Sequence, residues 1–198
     1  MFTIHETTTN DNSYPYNESE ALRLVALGDA DAFRSLYLYY YDRLFRFAMG
    51  FLRSEAASED VVSDVFFNLW QDRLRLSSIP RFRPYIYTSV RNACLNVLKS
   101  HQVSRRDDLR PDEVEPQVEI PANTPFDYLS YKELADAVLR AVDALPERCR
   151  MVFKLRQEDE LSHQEIARVM GITVRTVERQ IMLAKEKIRQ ALRGYKET

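Results

Sequence analysis

Glycine is scarce in this chain: four in 198 residues. A backbone that seldom needs left-handed or sharply bent conformations suits helices better than a turn-rich β architecture. Long apolar runs are missing too. No stretch approaches the roughly 18–20 residues needed to span a bilayer, so no membrane-spanning helix is expected. Met1 to Asn17 holds no Lys or Arg and no continuous apolar block, which argues against a secretory signal and for a cytoplasmic protein. The two cysteines, Cys94 and Cys149, lie far apart in apolar helical patterns and read as small buried residues. His5, His101 and His163 show no metal-ligand spacing with them, so neither metal nor cofactor is expected. No nucleophile–base constellation or phosphate-binding glycine loop appears either, which points away from an enzyme.

Acidic residues are absent from Arg73 to Arg106, where eight basic ones fall. The net charge of −2 hides this, because residues 1–72 carry 5 basic against 12 acidic side chains and residues 107–127 carry 1 against 7. A second basic excess, 8 against 4, covers residues 161–198. Two basic segments separated by an acidic one suggest two phosphate-facing surfaces.

What is abundant is helical periodicity, and the fold class it predicts is all-α. Residues 1–17, rich in Thr, Asn and Ser, read as a flexible tail. From Glu18, the positions Phe33, Leu36, Tyr37, Tyr40, Leu44, Phe45, Ala48 and Phe51 form one buried helix face. Ser54 is suited to cap a second helix burying Val61, Val62, Val65, Phe66, Leu69 and Trp70. Pro80 marks a third start, with Ile86, Val90, Ala93, Cys94 and Val97 as its core stripe. Residues 101–127 hold four prolines and many acids without a period, the pattern of an extended linker. Helices return over 128–198: Leu129, Leu134, Val138 and Val142 line one, Val152, Phe153 and Leu155 the next. The expected layout is two small helical domains, 18–100 and 128–198, joined by an acidic linker.

Ser162-His163-Gln164-Glu165 predicts a capping box, with Leu161 stapling onto Ile166. Ala167, Gly171 and Val177 then have the register of a helix-turn-helix: a small residue where two helices meet, a glycine for the turn, and an apolar anchor on the second helix. With Thr173 as its N-cap, the second helix would point Val177, Ile181, Ala184 and Ile188 inward and Arg175, Thr176, Arg179 and Leu183 outward, with Gln180 and Lys187 at a margin. Arg and Gln can read guanine and adenine edges, while Lys and Thr suit phosphates. An ordinary solvated face would also be basic.

The other basic segment interleaves cations and aromatics from Arg81 to Asn92. Arg81, Arg83, Tyr85, Thr88, Asn92, Asn96 and Lys99 form a candidate surface for single-stranded DNA, with cations following the backbone and aromatics stacking on unpaired bases. Aromatics at helical spacing equally suit a core.

Three stretches together resemble the extracytoplasmic-function (ECF) branch of the sigma-70 factors. They are Gly28–Phe33, Glu59–Trp70, and Leu145–Arg150 with Leu161–Ala167. The resemblance spans roughly 28–100 and 128–192 and implies a sigma factor that directs promoter-specific transcription initiation. Its first domain would dock on a coiled coil of the largest subunit of core RNA polymerase through Asp60, Ser63, Asp64, Phe67 and Gln71. Its segment from Arg81 to Lys99 would capture the melted minus-ten strand. Thr173, Arg175, Thr176, Arg179, Gln180 and Lys187 would read the minus-thirty-five element, near the flap of the second-largest subunit. A membrane-bound anti-sigma partner is also implied. The chain departs from the family where Ser63 and Asp64 stand in place of the usual Gln and Glu, and where Tyr85 and Asn96 replace the frequent Trp and Asp. The acidic linker would either mimic nucleic acid in polymerase channels or act as a plain spacer. The rival function is a LuxR-type helix-turn-helix regulator, which requires a sensor module upstream.

Overall fold

In the computed structural model residues 17–104 and 131–193 are described. Their order is α1 (Glu18–Ala26), α2 (Ala30–Leu52), α3 (Glu55–Gln71), a 3₁₀ helix (Arg73–Ser78), α4 (Phe82–Ser104), α5 (Tyr131–Asp143), α6 (Glu147–Gln157), α7 (His163–Met170) and α8 (Val174–Ala191). Among the described residues there is no strand, and no helix is long and apolar enough to cross a membrane. The tail expected over 1–17 lies outside these residues except for Asn17, which caps α1 by accepting from the Glu20 N–H. The linker expected over 101–127 also lies largely outside, although α4 overruns its first residues to reach Ser104.

Each helix start has a side-chain acceptor where the sequence supplies one. Asp29 accepts from the N–H groups of Asp31 and Ala32, both at 2.9 Å. Ser54 accepts from Ala57 and Thr173 from Thr176. The capping box forms as expected: the Ser162 hydroxyl accepts from the Glu165 N–H, and the Glu165 carboxylate accepts from the Ser162 N–H at 2.9 Å. These bonds satisfy donors that the helix itself leaves unpaired. α2 ends at Arg53 with φ +51°, and α7 at Gly171 with φ +66°; only the second stop uses the residue best suited to that backbone.

One apolar core joins α1 through α4 to α6, α7 and α8, while Val142, Leu145, Cys149 and Ala184 form a smaller cluster. α2 passes through the larger one. Leu36, Tyr40, Leu44 and Ala48 are fully covered, but Phe33, Tyr37, Phe45 and Phe51 are only half-buried. Phe47, outside the expected stripe, is buried instead, edge-on to Tyr87 of α4 at 5.0 Å. A helix covered on more than one side buries more than a single stripe, which periodicity alone does not resolve. Trp70 is half-buried beneath the Arg73 guanidinium, 4.9 Å from the ring centre. The 3₁₀ helix was not expected; buried Leu76 anchors it.

α7 packs on α4 as well as on α8, and α6 reaches α2. The two helical groups therefore touch directly. At both approaches the sequence places a glycine. A β-carbon at Gly50 would meet the Met151 sulfur at 2.7 Å, and one at Gly171 would collide with the Arg91 guanidinium.

Burial pushes the Glu165 carboxyl up, but the Ser162 N–H and hydroxyl, with Arg81 and Arg168 nearby, more than offset it and hold the group below its usual range. Its stabilising contribution is then full above the unfolded value and is lost as pH falls through the lowered one. The stability gap between the wild-type chain and Glu165→Gln should be widest near neutrality and narrow below about pH 4 in urea titrations. Ser162→Ala should cost about 1 kcal/mol by the same measurement; an unchanged midpoint would mean the cap is dispensable.

Candidate nucleic-acid interface

The helix-turn-helix assembles as its register requires. Ala167 is buried where α7 meets its neighbours, Gly171 makes the left-handed turn, and Val177 is fully covered on α8. Ile181 and Ala184 complete the inward stripe, and Ile188 packs on the smaller cluster. Arg175 and Arg179 are exposed one turn apart, while Gln180 and Lys187 are half-buried at the side. Thr173 and Thr176 are committed to the helix start. The Thr173 hydroxyl takes the Thr176 N–H and lies 2.9 Å from the Thr176 hydroxyl. Leu183, expected to face outward, is half-buried against the smaller cluster. The presence of α5 along α8 gives that side of the helix a partner, which projection of an isolated helix leaves out. The Cys149 thiol donates to the Gln180 carbonyl at 3.3 Å and ties α8 to α6. Thiol burial raises its pKa, as it does for Cys94, pushed up to about 12; neither is a thiolate nucleophile.

Beside the exposed arginines of α8, His163, Lys185, Arg189 and Arg193 line a groove of about 420 Å³ with Glu178 and Glu186. Lys185, Arg189 and Arg193 repeat at four-residue steps, a spacing visible in the sequence but eclipsed there by the arginines of the first turns.

On α4 the structure separates the expected strand-binding residues into two sets. Tyr85, Thr88, Asn92, Asn96 and Lys99 share one face at helical spacing; all but half-buried Thr88 are exposed, Tyr85 at 42%. The Thr88 hydroxyl donates back to the Pro84 carbonyl at 2.6 Å. Arg81 and Arg83 do not join this face. Arg81 pairs with Glu165 of α7 at 2.6 Å. Arg83 pairs with Glu18 of α1 and donates to the Asp159 carbonyl. Adjacent cations on a sequence need not share a surface once carboxylates from other helices compete for them.

Asp159, whose backbone carbonyl takes Arg83, lies in the loop before α7, and sequence reasoning missed it. It is 3% exposed. The Tyr87 hydroxyl of α4 donates to it at 2.7 Å, and Arg43 of α2 stands 3.7 Å away. Burial pushes the Asp159 carboxyl up in spite of both neighbours, and burial beside Asp159 pushes the Tyr87 hydroxyl up as well. An acidic Glu158-Asp159-Glu160 run reads as solvated in a sequence; only the fold distinguishes its middle residue.

α3 carries the third expected set. Asp60, Ser63, Asp64, Phe67 and Gln71 all lie exposed on one face, opposite buried Val61, Val62, Val65, Phe66 and Leu69. Phe67 is 62% exposed among carboxylates. Among the described residues no group of His, Cys, Asp or Glu could hold a metal ion.

Residues 36–103 match the family described as Sigma-70 region 2, and residues 135–188 the one described as Sigma-70, region 4. Together they cover more than half of the chain. Its relatives include the ECF RNA polymerase sigma factor SigW of Bacillus subtilis (strain 168), 24% identical over 87% of this chain and 95% of that protein. They also include the ECF RNA polymerase sigma-E factor of Escherichia coli (strain K12), 28% identical over 83% of this chain and 88% of that protein. The fold is that of CnrH in complex with the cytosolic domain of CnrY, with a TM-score of 0.50 at 22% identity over 88% of this chain and 96% of that one. It is equally that of the sigma factor RpoE in complex with the anti-sigma factor NepR from Bartonella quintana, at 0.50 and 20% over 81% and 96%. With the region 2 and region 4 matches on one chain that also carries a helix-turn-helix, the protein belongs to the sigma-70 family, in its extracytoplasmic-function branch.

Proposed function

We propose a division of labour among three faces of this sigma factor. The residues over 18–100 act as the domain that docks core RNA polymerase and handles the minus-ten strand; those over 128–198 act as the domain that reads the minus-thirty-five element. Docking falls to Asp60, Ser63, Asp64, Phe67 and Gln71, against a basic and partly apolar coiled coil of the largest polymerase subunit. The single observation that carries this is Phe67: a large aromatic exposed among acids on an otherwise well-packed helix suits a partner with both a cation and a groove. The flap of the second-largest subunit is the expected neighbour of the second domain.

Strand capture is assigned to Tyr85, Thr88, Asn92, Asn96 and Lys99, with stacking from Tyr85 and amide bonds from the two asparagines. Arg81 and Arg83 are assigned to it only once their carboxylate partners are withdrawn. Base reading is assigned to Arg175 and Arg179, whose exposure on the first turns of α8 suits the major groove, and Gln180 and Lys187 flank them. Thr173 and Thr176 fix the start of that helix and present it to phosphate. The chain itself makes and breaks no bond; the polymerase does, which accords with a cytoplasmic protein that is not an enzyme. CnrH and the Bartonella quintana RpoE were solved with CnrY and an anti-sigma factor, which supports an anti-sigma partner here, expected at the membrane. A LuxR-type regulator would carry a sensor upstream, where this chain has the region 2 match.

Transcription in vitro with core polymerase and genomic fragments tests the reading. Discrete start sites should appear, and Asp64→Arg should abolish them by weakening holoenzyme formation while leaving the fold intact. Arg179→Ala should weaken promoter binding by the holoenzyme by about 1–3 kcal/mol if it makes a bidentate base contact; a loss below about 0.5 kcal/mol removes it from the reading face.

A further inference from the structure

The start of α4 carries cations where a helix start favours acids. Arg81 precedes the helix, Arg83 lies in its first turn, and no acidic residue stands in that turn. The partial positive charge of a helix N-terminus disfavours both. The compensation comes from other helices: Glu165 of α7 reaches Arg81, and Glu18 of α1 reaches Arg83 at 3.1 Å. Of these two carboxylates, Glu18 is the one that belongs to the same helical group as α4.

Glu18 does more than neutralise. The Oε1 atom that accepts from Arg83 also accepts from the Tyr40 hydroxyl of α2. Tyr40 is fully covered. Its burial, with Glu18 beside it, pushes the hydroxyl pKa up, so Tyr40 remains a proton donor. The Tyr40 ring stands edge-on to Phe82, the first residue of α4, with 5.6 Å between centres. Phe82 is buried, and its ring centre lies 6.3 Å from that of Tyr85. One line of contacts thus runs from Glu18 through Tyr40 and Phe82 to Tyr85. A second, through Arg83, ends on the same helical turn.

We propose that Glu18 is a positioning residue for minus-ten strand capture: with Tyr40 and Arg83 it fixes the first turn of α4, and so the ring face that Tyr85 presents to an unpaired base. The inference rests on the assignment of strand capture to Tyr85 given above. Glu18 is not itself a strand contact, because its carboxylate is turned to Tyr40 and Arg83 and an acid repels phosphate. Its effect is pre-organisation: a ring already held needs no ordering when the base arrives. Arg83, which the charge run of the sequence offers as a strand contact, serves here as a tether. α1, which carries none of the recognition faces, thereby takes part in recognition.

A double-mutant cycle on the holoenzyme tests this. The readout is affinity for a fluorescent single-stranded oligonucleotide copied from the stretch upstream of a start site mapped as above. Tyr85→Ala should weaken binding about fivefold or more, the loss of one stacked base. Glu18→Gln keeps the shape and removes the charge; Tyr40→Phe keeps the ring against Phe82 and removes the donor. Each should weaken binding about threefold. Combined with Tyr85→Ala, neither should cost anything further, because the effect passes through Tyr85. Holoenzyme formation should be unchanged throughout, at a temperature where circular dichroism shows every variant folded. Equal losses with and without Tyr85→Ala would overturn the proposal, since Glu18 would then act on the fold and not on that ring. Wild-type affinity for Glu18→Gln and Tyr40→Phe, beside a weakened Tyr85→Ala, would overturn it as well. So would tighter binding by Glu18→Gln, because release of Arg83 would then outweigh placement. If Tyr85→Ala alone leaves affinity unchanged, the strand-capture reading falls and carries the proposal with it, a result distinct from the others.

Discussion

A chain built only of helices must hide every apolar stripe against another helix, and α4 is where that requirement bears hardest. It meets α2 and α3 through Phe82, Ile86 and Val90, and α7 through the side carrying Tyr87 and Arg91. What remains is one face, and the sequence makes it polar and aromatic. The usable surface of α4 is therefore defined by subtraction. Residues are available for recognition because two other sides of the same helix are taken by packing.

The same logic explains why a chain with net charge −2 can serve nucleic acid. Charge is not averaged over a folded surface; it is distributed by helix. Acids on α3 stand in one place, and cations on α4 and α8 in others, so each interface meets its own local field. Within about a Debye length, roughly 8–10 Å, neighbouring carboxylates still matter, as Glu18 and Glu165 demonstrate by holding Arg83 and Arg81. Surface cations become functional or structural according to which acids the fold brings near them.

Much of this was legible in the sequence because it depends on short range. The capping box at Ser162, the turn at Gly171 and the anchor Val177 are set by residues within a few positions of each other, and all three are where their spacing puts them. The exposed face of α3 follows from its apolar stripe in the same way. What was not legible depends on contacts between distant segments. Arg83 finds its partners 65 and 76 residues away, and Asp159 finds Tyr87 at a separation of 72. Leu183 gained a cover from α5, and Phe47 from α4, neither of which a single helix projection contains. Asp159 is the extreme case: in the sequence it is one of three consecutive acids, and only its depth makes it different.

The separation of Tyr87 from Asp159 along the chain also has a consequence in time. Ribosomes add about 5–20 residues per second, so roughly 4–15 seconds pass between synthesis of Tyr87 and of Asp159. During that interval α1 to α4 can fold on local contacts alone, with the Tyr87 ring against Phe47 but its hydroxyl without Asp159. Every newly made molecule thus passes through a brief youth in which the sequence of α1 to α4 is complete before the partner of Tyr87 exists.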